Sequence, residues 1–104
     1  MAKAKKKGNS GSYQEDLIEA LKDPEEALGY LKAAIEESDM PEVFLLALRN
    51  VAEAHGVSHV ARAARLNREN LYKILSKSGN PRLGSLYAIL EALGFTLSVE
   101  RKAS

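Results

Sequence analysis

The 104-residue chain contains no cysteine, which excludes disulfide bridges and metal sites built on thiolates. No run of apolar residues approaches the length of a membrane-spanning helix, so no membrane partner is expected. No apolar run follows the N-terminal lysines either, so a secretory signal is not expected and the sequence predicts a cytoplasmic protein.

The sequence also offers little for catalysis. It has two histidines and no glycine-rich phosphate loop, so we predict neither an enzyme nor a cofactor. His55 and His59 have the spacing of a metal site on one continuous helix, but Gly56 and Ser58 interrupt that helix. We therefore predict that the two rings do not converge and that no metal is bound.

The charged residues fall into three blocks. Residues 3–7 carry four lysines, residues 13–48 carry ten acidic residues against two basic ones, and residues 49–82 carry seven basic residues against two acidic ones. This asymmetry indicates that different partners meet different parts of the surface, the alternative being that charge drifted on solvated helix faces.

Composition and periodicity predict one helical domain behind a basic tail. Residues 1–12 are rich in lysine, glycine and serine and are expected to be disordered, either as a minor-groove arm or as a passive end. Within the helical domain, 13–104, apolar residues at helical spacing predict acidic N-terminal helices over 13–38 and a core of helices over 42–94. Capping residues are predicted at Asp23, Ser58 and Asn67, and helix ends at Gly56 and Gly94.

The segment 95–100 changes from helical to alternating periodicity. Phe95, Leu97 and Val99 alternate with polar residues, which predicts a single strand. Because the chain offers no second strand, we predict that this strand pairs with its copy in a homodimer and that these three residues form the interface, with the last helix as a further candidate. The alternative is an extended tail lying on the core.

Residues 58–75 have the spacing of a helix-turn-helix. Ala61 provides a small residue where two short helices cross, and apolar residues from both helices face the core. Arg65 stands where such turns often carry glycine, so either Arg65 adopts a less favourable backbone conformation or the turn differs slightly. The second helix would then present five polar side chains for reading a DNA groove: Arg68, Glu69, Asn70, Tyr72 and Lys73.

From about Tyr13 to Val99 the chain resembles addiction-module antidote proteins with an Xre-type helix-turn-helix. The resemblance lies in DPEEALGYLKAAIEE, PEVFLLALRNVAEAHGVSHVARAARLNRENLYKIL, SGNPRLGSLYAILEALG and FTLSVE. It implies an all-α, lambda-repressor-like domain of five to six helices that binds operator DNA, represses its own operon and neutralises a RelE/ParE-like toxin. The DNA-contact positions that it implies are Ser58, His59, Asn67, Arg68, Glu69, Asn70, Lys73, Asn80 and Arg82.

Two other functions remain open. The chain would act as a stand-alone phage-type repressor if no toxin gene lies beside its own. Alternatively, it would be a toxin-binding interaction module in which DNA binding is weak, because the acidic helices over 13–38 suit a basic protein partner.

Overall fold

The computed structural model describes residues 10–76 and 78–103, and these form six helices. The helices are α1 (Ser10–Ala20), α2 (Pro24–Glu36), α3 (Pro41–His55), α4 (Val57–Ala63), α5 (Arg68–Ile74) and α6 (Leu83–Ala92). The prediction of an all-helical chain with five to six helices is confirmed. Residues 1–9 of the predicted basic tail lie outside the described residues, and α1 begins inside the stretch that was expected to lack structure. None of the helices over the described residues combines the length and the apolar character that a membrane span requires.

Local sequence signals set the boundaries of the N-terminal helices. The Asp23 side chain accepts a hydrogen bond of 3.0 Å from the backbone N–H of Glu25, and Pro24 opens α2. A second proline opens α3, which ends as predicted at Gly56, where φ is 109°. The cap predicted at Ser58 is wrong, because α4 begins directly after Gly56 and Ser58 lies within its first turn.

The core is organised around α3 and α4. Helix α3 packs against α1, α2 and α4, and α4 in turn packs against α5 and α6. The largest fully buried side chains come from α3, α4, α5 and α6 or their ends, so the core links these four helices. They are Leu48, Val60, Leu71, Leu75 and Ile89. The central position predicted for α3 is therefore confirmed, and the site described below rests on a continuous apolar core.

One polar side chain is buried within this core. Asn50 of α3 is 6% exposed, and its amide donates a hydrogen bond of 2.9 Å to the Tyr30 hydroxyl of α2. Its carbonyl oxygen accepts a hydrogen bond of 3.1 Å from the Gln14 amide of α1. Since a buried amide is costly unless it is hydrogen-bonded, these contacts fix the two acidic helices on α3.

The strand predicted over 95–100 is not formed. No strand occurs among the described residues, and these six have no regular secondary structure. The backbone N–H of Phe95 donates to the carbonyl of Leu90, and the side chains of Phe95 and Leu97 are half-buried against the core. Val99 is 96% exposed. The alternation marks a segment lying along the core, because a strand cannot form where the chain supplies no second strand.

Candidate nucleic-acid interface

Helices α4 and α5 are joined by a tight turn. Ala61 is 2% exposed, and its carbonyl accepts a hydrogen bond of 2.7 Å from the backbone N–H of Leu66 as the chain reverses. Arg65 has a φ of 63°, in the left-handed region that disfavours residues with a side chain. Of the two alternatives predicted at Arg65, the unfavourable backbone conformation is the one present, and it sets the direction in which α5 leaves the core.

Asn67 fixes the start of α5. Its side chain accepts a hydrogen bond of 2.7 Å from the backbone N–H of Asn70, as the predicted cap requires. Leu71 and Leu75, at the centre and end of the helix, are buried. The opposite face is exposed and polar, and it carries four of the predicted groove-reading residues: Arg68, Glu69, Asn70 and Lys73.

The prediction that Tyr72 faces outward is wrong. It is half-buried, and its hydroxyl lies 3.3 Å from Glu53 Oε2 in α3, to which it donates a hydrogen bond. The Arg49 guanidinium carbon lies 5.0 Å from the centre of the Tyr72 ring, and Arg49 also pairs with Glu53 at 3.8 Å. This arrangement of one aromatic ring and two charges holds the side of α5 against α3.

The sequence alone did not single out Arg49 and Glu53. Opposite charges four residues apart on one helix are a common local pattern, and nothing in the sequence indicates that a tyrosine from another helix joins them. Their role follows from the packing of α5 beside the C-terminal half of α3.

The side chains of His55 and His59 contact each other at the junction between α3 and α4. The rings of His55 and His59 stack with centroids 5.4 Å apart and planes 30° from parallel. The prediction that they do not converge is wrong, because the turn at Gly56 leaves both rings on one side of the junction. His59 and Ser58, two predicted phosphate contacts, are exposed beside the start of α4. Among the described residues, no group of three or more potential metal ligands occurs.

The loop after α5 folds back on the end of that helix. The Ser76 hydroxyl donates a hydrogen bond of 2.9 Å to the Lys73 carbonyl, and the Gly79 N–H donates to the Ser76 carbonyl at the same distance. A Cβ at Gly79 would collide with the carbonyl oxygen of Ile74, so the close approach requires glycine. The loop lines a cleft of about 390 Å³ together with Lys73 and Ile74. Exposed Asn80 on the loop therefore lies near Lys73 of α5.

The exposed charges of this region are mainly positive. Glu53 is half-buried and engaged with Arg49 and Tyr72, which leaves Glu69 as the exposed acid in the described part of 57–82. The exposed cations there are Arg62, Arg65, Arg68, Lys73 and Arg82. Such a surface attracts a polyanion, and arginine, asparagine and lysine on one short helix can hydrogen-bond base edges in a major groove.

Comparison with known proteins settles the family. The chain matches the family described as "Probable addiction module antidote protein" over residues 12–101, nearly its whole length. The chain belongs to this antidote family. It is also 36% identical over 86 residues to an uncharacterized protein of Haemophilus influenzae, covering 83% of this chain and 88% of that protein. No solved structure matches the chain. Because an antidote acts on a toxin, membership of the antidote family implies a toxin partner.

Proposed function

We propose that this antidote is a sequence-specific DNA-binding regulator that represses its own operon. The observation that carries the proposal is α5, a capped helix with a buried apolar face and an exposed polar one. The order of α3 to α6 suits a lambda-repressor-like domain of the Xre type, in which the second helix of the motif enters the major groove.

Base edges would be read by four side chains of α5. Arg68 suits the O6 and N7 acceptors of guanine, Asn70 suits the N6 donor and N7 acceptor of adenine, and Lys73 also suits guanine. Glu69 can accept a hydrogen bond from cytosine. All four are exposed on this short helix, so they are available to a duplex that receives α5 in its groove.

Other residues would hold the duplex by its phosphates. Ser58 and His59 lie exposed at the start of α4, and Asn67 lies exposed at the turn before α5. Asn80 and Arg82 are exposed on the loop that folds back on α5. Contacts of this kind position a protein on DNA without reading sequence. Tyr72 would contribute by holding α5 in place, since its hydroxyl already contacts Glu53.

The regulator would act as a cytoplasmic homodimer without enzymatic activity. Two copies present two α5 helices, which suits the two half-sites of an operator. The interface would be centred on Val99, which is almost fully exposed, because the side chains of Phe95 and Leu97 pack against the core of their own copy.

The toxin that the antidote neutralises would be a RelE/ParE-like protein encoded beside it. The acidic surface of residues 13–48 supports a basic partner, because charge complementarity raises association rates. The same surface favours, as second candidate, an interaction module in which toxin binding dominates and DNA binding is weak.

The test is binding of the full chain to a duplex from its own upstream region, measured by fluorescence anisotropy over a series of salt concentrations. We expect Arg68→Ala combined with Lys73→Ala to weaken binding by about 100-fold, since each lost base-edge contact costs roughly 1–3 kcal/mol. The logarithm of the wild-type association constant should fall linearly with the logarithm of salt concentration.

Lys32→Ala is the matched control, because Lys32 is an exposed cation on α2. It should leave the affinity unchanged. A scrambled duplex of equal length measures the sequence-independent contribution. Equal binding of both duplexes by the wild-type chain would favour the interaction module, and equal binding by the wild-type and doubly substituted chains would exclude α5 as the reading helix.

A further inference from the structure

We propose that a cleft beside α2, lined by Ile35, Phe44 and Leu97, is the site at which this antidote binds a basic segment of its toxin. The inference rests on the proposed neutralisation of a basic toxin and adds where that toxin binds. The cleft lies between α2, the start of α3 and the C-terminal segment.

The α2 cleft is continuous over two adjoining parts. Both parts are lined by Ile35, Phe44 and Leu97. One part has a volume of about 430 Å³ and extends from these residues to Met40 and to the loop at Pro81. The other has a volume of about 260 Å³ and extends along α2 to Leu28. The cleft follows α2 from Leu28 to the C-terminal end of that helix and continues to Met40 at the start of α3, so it can accommodate a helical or extended peptide segment.

Apolar side chains with open faces concentrate along this cleft. Ile35 and Met40 are each 50% exposed and Leu28 is 40% exposed, and all three line its walls. One exposed apolar residue is ordinary on any protein, whereas several around one concavity mark a place where a partner covers apolar surface.

The charges at the rim select a basic partner. Glu36, Asp39 and Glu100 line the cleft, against Lys32 as the cation among its lining residues. The surrounding segment, 13–48, carries ten acidic residues and two basic ones. A second copy docking on this cleft would bring like charges together, so the proposed dimer contact at Val99, which does not line the cleft, is a separate surface. A segment with apolar side chains flanked by lysine or arginine would match both the cleft and its rim.

The experiment titrates the full chain with the purified protein encoded by the gene beside it, using isothermal titration calorimetry. Ile35→Arg places a charge in the apolar centre of the cleft and should raise the Kd by at least about tenfold, about 1.4 kcal/mol. Leu46→Arg is the matched control, because Leu46 is 54% exposed on α3 and does not line the cleft. It should leave the Kd within about twofold of the wild-type value.

A second pair of variants tests the rim. Glu36→Lys should slow association at low salt more than Glu15→Lys does, because Glu36 lines the cleft and Glu15 is exposed on α1. Each variant is also tested for binding to the upstream duplex, which should be unchanged, and for its mass in solution by light scattering.

Three results would overturn the proposal. Equal toxin affinity of Ile35→Arg and Leu46→Arg would remove the cleft as the site while leaving neutralisation intact. No binding of the wild-type chain to the neighbouring product would contradict the neutralisation itself. Loss of the homodimer in Ile35→Arg, with toxin binding retained, would assign the cleft to a second copy.

Discussion

Helices α2 and α5 both pack an apolar face against the core, but their exposed faces differ in chemistry. Each buries an apolar face, through Ala27 and Leu31 in α2 and through Leu71 in α5. The exposed face of α5 is polar and mainly basic, whereas that of α2 places Leu28 and Ile35 among carboxylates. Polar cationic faces suit a hydrated polyanion, and apolar acidic faces suit a basic protein. The comparison assigns the two proposed activities to opposite halves of one small domain.

The largest expected effect comes from removing the buried face of α5. Leu71→Ala should lower the free energy of unfolding by about 2–5 kcal/mol, because it leaves a cavity among fully buried side chains. Urea denaturation followed by circular dichroism measures the loss. Leu46→Ala removes the same atoms from a side chain that is 54% exposed, and should cost about 0.5 kcal/mol or less. Equal losses at the two positions would contradict the described core.

The next effect concerns the loop that follows α5. Gly79→Ala should lower the free energy of unfolding by about 1–3 kcal/mol and weaken DNA binding, because the added Cβ would meet the carbonyl oxygen of Ile74. At Gly84 in α6 a Cβ meets nothing within 4 Å. Gly84→Ala should therefore stabilise the chain by about 0.4–1 kcal/mol. A neutral Gly79→Ala in thermal unfolding would show that the loop does not approach α5 so closely.

The capping residues of α2 and α5 allow a matched comparison, because replacing either with alanine removes one side-chain cap. Asn67→Ala and Asp23→Ala should each cost about 1 kcal/mol in unfolding free energy, since each removes a side-chain acceptor from a helix N-terminus. Only Asn67→Ala should also weaken binding to the upstream duplex, because Asn67 orders the start of α5. An equal loss of DNA affinity in Asp23→Ala would break the proposed division between the halves.

The smallest effect is expected at the turn between α4 and α5. Arg65→Gly should raise the free energy of unfolding by up to about 1 kcal/mol, because glycine tolerates the positive φ at this position. Arg62→Gly, within α4, removes the same charge and should instead cost about 0.5–1 kcal/mol. Thermal melts of the two variants should therefore shift in opposite directions, and shifts of equal sign would contradict the strained turn.

The sequence predicted best those features that depend on neighbouring residues. The cap at Asp23, the end of α3 at Gly56 and the cap at Asn67 are all local, and each is present. The strained backbone at Arg65 was one of two alternatives predicted from the glycine that such turns usually carry, and the structure decides between them.

Features that depend on distant contacts were predicted less well. Tyr72 was expected to face outward because its place on α5 permits it, but a hydrogen bond to Glu53, 19 positions earlier, draws it toward α3. The segment 95–100 has the alternation of a strand, but alternation marks any extended segment with one face on a core. The stacking of His55 on His59 depends on the backbone at Gly56, which the spacing of the two residues does not specify.

The most direct test of the division between the halves measures two activities on two variants. Wild-type chain, Arg68→Ala with Lys73→Ala, and Ile35→Arg are each titrated with the upstream duplex and with the neighbouring gene product. We predict that the α5 variant loses DNA affinity and keeps toxin affinity, while Ile35→Arg does the reverse. A folded variant that loses both, or an α5 variant that retains full DNA affinity, would contradict the account.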